Sequence, residues 1–240
     1  MNEKNLIIFR ALGNFENDQL KILMKDTNYQ IITYPILKVI NIYSKPINIE
    51  NAQAVLVTSS NGIYNLANLS NNRSVKIFTI GSSTKNLSEK LGYKNVIDCD
   101  GDSVKMYEVV IKNTKIEDGS LIYVGADNIS VDLPNMFKKA GYKVRRYVVY
   151  KTEELKVIDK NFIAMIKDRK VSWVVLLSRK GAANFYNLVK KYIKLNYFSD
   201  VKFACLSKKI ADELPNSIAY KYVPNKPSLD NLKNMIIMNK

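Results

Sequence analysis

Four short polar turns carry the residue types in this sequence that could bind an anion. Each follows a run of apolar residues and precedes a stretch with helical spacing; the turns are Thr58-Ser59-Ser60-Asn61, Gly81-Ser82-Ser83-Thr84, Gly125-Ala126-Asp127-Asn128 and Ser178-Arg179-Lys180-Gly181. The first turn of a helix exposes N–H groups that have no intrahelical partner, and these groups attract anions. Any one turn taken alone could be an ordinary helix cap, because the same residue types are preferred there. As a set, the turns predict an anion-binding edge.

The complete absence of histidine excludes several kinds of catalytic site. Ser-His-Asp and Cys-His nucleophile systems cannot be built, and neither can a zinc site with imidazole ligands. Cys99 and Cys205, the two cysteines, are too few for a four-thiolate zinc site or a cysteine-held iron–sulfur cluster. We expect both to be small, buried, apolar side chains.

The formal net charge of +15 on 240 residues has two interpretations. A basic balance favours an anionic partner, namely nucleic acid, a membrane surface or a polyanionic small molecule. Alternatively, the excess is compositional, because the lysines are scattered through a chain rich in Lys, Asn, Ile and Tyr. The sequence contains no recognised nucleic-acid motif, so we expect no nucleic-acid partner.

The apolar segments are too short for a membrane protein. None approaches the roughly 20 residues that a membrane-spanning helix requires. The amino-terminal "MNEKNLIIFRALGN" has an apolar core too short for a signal peptide. We therefore expect a cytoplasmic protein without a membrane partner. Separately, we expect a monomer.

A weak internal repetition in the order of elements predicts the fold class. The similar segments are 6–34 with 121–150, 54–69 with 173–189, and 75–92 with 201–217. In the first pair we expect strands at Leu6–Phe9, Gln30–Tyr34, Leu121–Val124 and Lys143–Tyr150, and helices at about 18–25 and 131–140. The strands are continuous apolar runs, as in parallel sheets that helices cover on both faces. The sequence predicts an α/β protein of two similar three-layer, parallel-sheet units, with ligands beyond the carboxyl ends of the strands.

In the order of its motifs, the sequence resembles the uroporphyrinogen-III synthase family along nearly its whole length. The matching segments are "LIIFRALGN", "AVLVTSSNGIYNL", "IFTIGSSTKNLSEKLGY", "LIYVGADNISVDLPNMFKKAGYKV", "YVVYKT", "VVLLSRKGAANF" and "KFACLSKKIADEL". The third contains the family's Gly-x-x-Thr turn, and the fifth contains its Val-Tyr-x-Thr linker. No single motif is highly specific, so the resemblance rests on their order and spacing.

The resemblance implies a discontinuous arrangement of domains. Residues 1–37 and 151–240 would form one α/β domain, and 38–150 the other. The two would be joined by a two-stranded linker near Tyr34–Val39 and Tyr147–Thr152, with the active site in the cleft between them.

The resemblance also implies an activity. The family's substrate, hydroxymethylbilane, is a linear tetrapyrrole whose rings each bear an acetate and a propionate. The enzyme, a lyase, removes water, inverts the last ring and closes the macrocycle without a metal or organic cofactor. Tyr150, as donor to the departing hydroxyl, and Thr84 would be catalytic. The substrate-binding residues would be Arg10, Thr58, Ser59, Ser60, Gly81, Ser82, Ser83, Gly125, Ala126, Ser178, Lys202 and Ser207.

Each of these roles has a structural alternative. Tyr150 could be a packed linker tyrosine, Thr84 a helix cap, Arg10 half of a strand-end ion pair and Lys202 a solvated lysine at a strand edge. Two departures from the family pattern also leave open a non-catalytic relative that binds a tetrapyrrole or another anion. Ile210 occupies the threonine position of the second Gly-x-x-Thr turn, and Gly125-Ala126 replaces an Arg-Gly pair.

Overall fold

The computed structural model describes residues 4–12 and 19–239, which form two compact α/β units. The terminal unit contains the described residues up to Val39 and from Glu153 onward. The central unit is Ile40–Thr152. The chain passes from one unit to the other twice, each time within a β-strand.

Strands and helices alternate along most of the described chain. In order they are β1 (Lys4–Leu12), α1 (Gln19–Leu23), β2 (Tyr29–Asn41), β3 (Ala52–Val57), α2 (Ser60–Leu69), β4 (Ile77–Thr79), α3 (Ser82–Lys90), β5 (Val96–Asp98), α4 (Ser103–Asn113), β6 (Ser120–Ala126), α5 (Leu133–Lys139), β7 (Val144–Glu154), α6 (Lys160–Lys167), β8 (Val171–Leu176), α7 (Arg179–Val189), β9 (Lys202–Cys205), α8 (Lys208–Ala211), β10 (Lys221–Tyr222) and α9 (Leu229–Met238). Short 3-10 helices lie at Ile116–Asp118 and Leu195–Phe198.

The terminal unit is a parallel sheet with helices on both faces. Its strands lie in the order β10-β9-β8-β1-β2. Successive side chains of a strand point to opposite faces, so each buried strand supplies two cores. Ile7 and Phe9 of β1 pack with Phe162 of α6 and with α7, whereas Leu6 and Ile8 pack with residues of α1 and α9.

The central unit has the same layered construction. Its strands lie in the order β7-β6-β3-β4-β5, and all four neighbouring pairs are parallel. Leu56 of β3 packs with Met106 of α4 and Phe137 of α5 on one face. On the other face α2 approaches β3 so closely that a Cβ on Gly62 would lie 2.9 Å from a methyl carbon of Val57.

The two sheets repeat one order of strands, as the internal sequence repetition indicated. Strands β4, β3, β6 and β7 of the central unit follow one another in the sheet as β9, β8, β1 and β2 do in the terminal unit. Each sheet also has an irregularity where its last two strands pair, between Arg10 and Ala11 in β1 and between Gly125 and Ala126 in β6. Such irregularities redirect side chains near the ends of strands. The prediction of an α/β fold with a parallel sheet is confirmed.

Several boundaries differ from the sequence prediction. Strands β1, β2, β6 and β7 are all longer than expected, and the helix expected at about 131–140 is limited to Leu133–Lys139. The helix expected at about 18–25 is Gln19–Leu23, and position 18 lies outside the described residues. Helix α8 is a single turn although its sequence resembles α3, because the chain continues in tighter turns up to Pro215, which has no backbone N–H. In the parts of the chain that the structure describes, no helix is long and apolar enough to cross a membrane.

Candidate functional site

The carboxyl ends of β3 and β6 lie on one edge of the central unit, together with the late part of β7. These strands run parallel and are neighbours in the sheet, so their carboxyl ends meet there. Thr58 and Ser59 follow β3, Ala126 ends β6, and Tyr150 is paired with Ala126 in the ladder. We call this group the tyrosine edge: Thr58, Ser59, Tyr123, Ala126 and Tyr150.

Ser59 links a helix cap to the Tyr150 phenol. It is the N-cap of α2, in an extended backbone conformation, and its Oγ accepts a hydrogen bond from the Gly62 N–H at 3.2 Å. The same Oγ lies 2.8 Å from the Tyr150 hydroxyl, and either oxygen could be the donor. Ser60, the first residue of α2, is half-buried beside this pair. The structure therefore brings together three residues that the sequence predicted for the site.

Tyr123 is a second phenol at this edge, and sequence analysis missed it. It lies inside β6 opposite Leu56, is 2% exposed, and its hydroxyl is 3.1 Å from Thr58 Oγ1. The signal was present, because a tyrosine in a buried strand must find a partner for its hydroxyl. The identity of that partner depends on the strand register, which sequence analysis did not predict.

Because Gly125 has no side chain, the Tyr123 ring can occupy the space beside it. A Cβ at position 125 would lie 2.7 Å from Cε1 of Tyr123, closer than carbon atoms can approach. The residue that the sequence analysis noted as a departure from the family pattern is therefore required by the ring beside it. Gly125 shapes the tyrosine edge through its missing side chain.

Burial keeps both phenols protonated. Desolvation raises the pKa of Tyr150 above 10.0, and the hydrogen bond with Ser59 offsets part of the rise. Desolvation likewise raises the pKa of Tyr123. The hydrogen bond between the Tyr123 and Thr58 hydroxyls and the charge of Arg146 offset part of that rise. Because the pKa of each phenol is raised on balance, each is a neutral hydrogen-bond donor at physiological pH.

Arg146 also reaches this edge, although the sequence analysis did not select it. Its Nη2 donates to the carbonyl oxygens of Ala126, at 3.0 Å, and Asp127, at 2.7 Å. The Asp127 N–H in turn donates to the Tyr150 carbonyl oxygen at 2.9 Å. Arg145 and Arg146 are consecutive and both exposed, so only the strand register shows which of them lies beside Tyr123.

The predicted Gly-x-x-Thr turn is already bound to a carboxylate, that of Asp98 at the end of β5. Gly81 has φ +79° and no side chain, and its N–H donates to Asp98 Oδ1 at 2.8 Å. The first intrahelical hydrogen bond of α3 runs from the Thr84 N–H to the Gly81 carbonyl oxygen. Ser82 is exposed and Ser83 half-buried, whereas Thr84 is only 4% exposed. The negative charge of Asp98 repels a carboxylate that approaches this turn.

Three predicted residues of the terminal unit lie at the carboxyl ends of its strands. Ser178 is the N-cap of α7 after β8, and its Oγ accepts from the Gly181 N–H at 3.1 Å. Ser207 is the N-cap position of α8, after β9. Arg10 lies in β1, immediately before the irregularity in its pairing with β2.

Lys202 does not join this group. It is the first residue of β9, so it lies at the amino end of a strand whose carboxyl end carries Ser207. Its Nζ donates to the carbonyl oxygen of Asn239 at 2.6 Å and lies 5.6 Å from the centre of the Trp173 ring. These contacts hold the ammonium group at the opposite edge of the sheet.

No cluster of three or more metal-ligating side chains occurs within residues 4–12 and 19–239. Cys99 and Cys205 are buried free thiols, and burial raises the pKa of each to about 12. The prediction that both are buried apolar side chains is confirmed.

Comparisons with known proteins show a family and a fold that this chain shares. The family model described as uroporphyrinogen-III synthase HemD matches residues 18–234. A uroporphyrinogen-III synthetase structure from Helicobacter pylori 26695 is 14% identical, covers 98% of this chain and 100% of its own, and has a TM-score of 0.62. A mutant uroporphyrinogen III synthase structure from the extremely thermophilic bacterium Thermus thermophilus is 12% identical, covers 98% and 97%, and has a TM-score of 0.51. At such identities the two structures show the fold alone. A search of curated protein sequences gives no match.

Proposed function

We propose that this chain, which belongs to the uroporphyrinogen-III synthase family, closes hydroxymethylbilane into the type III macrocycle with loss of water. The family acts in tetrapyrrole biosynthesis. The single observation that carries the proposal is the tyrosine edge, where a protonated phenol is held at the carboxyl end of a parallel sheet by the Ser59 hydroxyl. Such edges are where α/β proteins bind ligands.

The proposed substrate suits the charge of the chain. Hydroxymethylbilane carries an acetate and a propionate on each ring, so it is a polyanion at neutral pH. The chain has a formal net charge of +15, and a positive protein attracts such a substrate over distances of about a Debye length, roughly 8–10 Å. Hydroxyl and backbone N–H groups then bind individual carboxylates.

Tyr150 is the proposed proton donor. In the arrangement we propose, the Gly62 N–H donates to Ser59 Oγ, the Ser59 hydroxyl donates to Tyr150 Oη, and the Tyr150 proton points to the substrate. The hydroxymethyl C–O bond breaks, its electron pair stays on oxygen, and the Tyr150 proton completes the water molecule. The proton that the substrate releases as the ring closes returns to the phenolate, so none is gained or lost overall. This lyase reaction needs only the donation of one proton and its later return, and we propose that it uses no cofactor.

Most of the catalysis would come from positioning. The linear substrate closes by itself to the type I isomer, so the protein must direct attack to the substituted carbon of the last ring. Holding reacting groups in a fixed geometry can lower a barrier by roughly 7–11 kcal/mol. Thr58 is the proposed substrate contact that the structure supports best, because its Oγ1 can accept from the buried Tyr123 phenol and still donate its own proton to a carboxylate. In this arrangement the one Ser59 proton goes to Tyr150, so Ser59 orients the phenol and its predicted substrate contact stays a prediction.

The remaining predicted site residues stay predictions, Thr84 as a catalytic residue and the others as substrate contacts. They are Thr84, Ser60, Gly81, Ser82, Ser83, Gly125 and Ala126 in the central unit, and Arg10, Ser178 and Ser207 in the terminal unit. The predicted two-stranded linker and the cleft also stay predictions. Lys202 is left out of the proposal because its ammonium group is bound at the amino end of β9.

A non-catalytic relative is the alternative, and one observation favours it. Ile210, at the position of the second Gly-x-x-Thr threonine, is only 5% exposed and belongs to the core of the terminal unit. A threonine hydroxyl is therefore missing from that turn. An anion-binding regulator would bind the tetrapyrrole without converting it.

The isomer assay separates these functions. Purified protein is incubated with fresh hydroxymethylbilane, and the products are oxidised and resolved as type I and type III porphyrins. We expect type III in amounts that rise with protein concentration. Type I alone, formed at the spontaneous rate, would reject the enzyme; type I alone together with tight binding of the tetrapyrrole would support the regulator.

A further inference from the structure

Arg146 holds its guanidinium group in a fixed orientation at the tyrosine edge. Its Nη2 donates to two carbonyl oxygens of the turn after β6, those of Ala126 and Asp127. A guanidinium group is planar and rigid, so two hydrogen bonds from one nitrogen also fix the directions of the other N–H groups. The side chain is therefore pre-organised.

The remaining donors of this guanidinium group are available to a ligand. Within residues 4–12 and 19–239, neither Nε nor Nη1 of Arg146 has an acceptor, and the side chain is exposed. Arginine fixed in this way loses little further freedom when it binds a carboxylate. A charge-assisted hydrogen bond is also about twice as strong as a neutral one.

The position of Arg146 relates it to both phenols. It is the ladder partner of Tyr123 in the parallel pairing of β6 and β7, so the two side chains share a face of the sheet. Its charge is close enough to the Tyr123 hydroxyl to affect that group's pKa. The Asp127 residue that it binds also donates its N–H to the Tyr150 carbonyl oxygen.

We propose that Arg146 binds one carboxylate substituent of the tetrapyrrole through the donors that Ala126 and Asp127 leave unengaged. The inference rests on the proposed function and deepens it by assigning a cationic contact to an edge otherwise built from hydroxyl groups. Arg146 acts on substrate affinity, whereas Tyr150 acts on loss of water. Its loss raises KM and leaves kcat nearly unchanged.

Arg145 provides a matched control. It is the preceding residue of β7 and is also exposed. Its Nη2 also donates to uncharged oxygens, the backbone carbonyl oxygen of Glu50 and the Ser120 hydroxyl, each at 3.4 Å. Its side chain points to the other face, because neighbours on a strand alternate. Arg145→Gln and Arg146→Gln remove the same charge from neighbouring positions, so general electrostatic attraction changes equally in the two variants.

Steady-state kinetics with hydroxymethylbilane test the proposal on the full chain. We expect Arg146→Gln to raise KM about tenfold or more, with kcat within about twofold of the wild type, and Arg145→Gln to leave KM within about twofold. Arg146→Lys keeps the positive charge but loses the planar guanidinium group, so its KM should lie between those of the wild type and Arg146→Gln. Equal KM values for the two glutamine variants, or a fall in kcat at constant KM for Arg146→Gln, would overturn the inference.

Two further measurements keep the test decisive. If Arg146→Gln does not fold, Arg146→Lys must raise KM at least about threefold over Arg145→Lys, and equal values overturn the inference. If the wild type makes no type III isomer, the proposed function fails but the inference is still tested, by fluorescence titration with uroporphyrin III. Binding must then weaken in Arg146→Gln relative to Arg145→Gln, and equal binding rejects the role of Arg146.

Discussion

Ser59 Oγ lies 2.8 Å from the Tyr150 hydroxyl while it caps helix α2 through the Gly62 N–H. One side chain thus ties the orientation of a buried phenol to the start of a helix. Because the cap is part of the fold, the phenol is oriented before any ligand arrives. This pre-organisation is what positioning catalysis requires.

Replacing Ser59 by alanine should affect both stability and catalysis. We expect Ser59→Ala to lower the free energy of unfolding by about 1 kcal/mol through loss of the cap. It should also lower kcat by up to about tenfold, because a neutral hydrogen bond to Tyr150 is worth roughly 0.5–1.5 kcal/mol. Urea denaturation and initial rates measure the two effects.

Ser228→Ala is the matched control for the cap. Ser228 caps α9 in the same way, accepting from the Asn231 N–H at 3.2 Å. Its replacement should cost a similar free energy of unfolding and leave kcat unchanged. If both variants lost kcat to the same extent, the Ser59–Tyr150 contact would have no catalytic role.

A methyl group at position 125 should disturb the tyrosine edge. Gly125→Ala would place a Cβ 2.7 Å from the Tyr123 ring, and we expect a loss of about 1–3 kcal/mol in the free energy of unfolding. Combining it with Tyr123→Leu should cost less than the sum of the two single changes, because the ring that clashes is gone. Additive losses measured by urea denaturation would show that the ring and the glycine are not coupled.

The buried thiols should make stability fall at high pH. Burial raises the pKa of Cys99 and Cys205 from 9.0 to about 12. The unfolded chain therefore loses these protons first, so their contribution is complete below about pH 9 and is lost as pH rises towards about pH 12. Each thiol makes the free energy of unfolding fall by up to about 1.4 kcal/mol more per pH unit in this range.

Alanine variants measure that contribution directly. Cys99→Ala and Cys205→Ala should each flatten the dependence of the urea midpoint on pH between about pH 8 and pH 10.5. Tyr93, whose pKa burial raises to about 12, forms a background common to all three proteins. A wild-type slope retained in both variants would mean that the thiols are accessible to water in the folded state.

The sequence predicted the elements of the site better than their pairings. The continuous apolar strands and the hydroxyl-rich turns led to the parallel sheet, to Ser59 and, through the family resemblance, to Tyr150. Tyr123 and Arg146 were missed because their roles depend on which residue of β3 or β7 lies opposite β6. The irregularity between Gly125 and Ala126 that brings Tyr150 beside Ala126 has no signal in the sequence either.

The position of Lys202 could have been predicted from the sequence. It begins the segment "KFACL", so its place at the amino end of β9 follows from the direction of the strand. In a parallel sheet the amino ends lie at the edge opposite the ligand-binding edge. The choice of Lys202 followed its charge rather than its position in the strand.

The Tyr147 phenol offers a control for the Tyr150 phenol on the same strand. Tyr147 is half-buried, and its hydroxyl donates to the Asn48 carbonyl oxygen at 3.4 Å, away from Ser59. Tyr147→Phe and Tyr150→Phe each remove one oxygen atom from β7. We expect Tyr147→Phe to keep the wild-type kcat and the wild-type product.

The kcat for type III formation by Tyr150→Phe, compared with wild type and Tyr147→Phe, tests the central claim most directly. General acid catalysis contributes roughly 10²–10⁴-fold, so we predict a loss of at least about 10²-fold in Tyr150→Phe with the thermal transition unchanged within a few degrees. The residual product should still be type III, because the rest of the edge continues to orient the substrate. A kcat equal to that of the wild type would contradict the account, since the phenol held by Ser59 would then not be the proton donor.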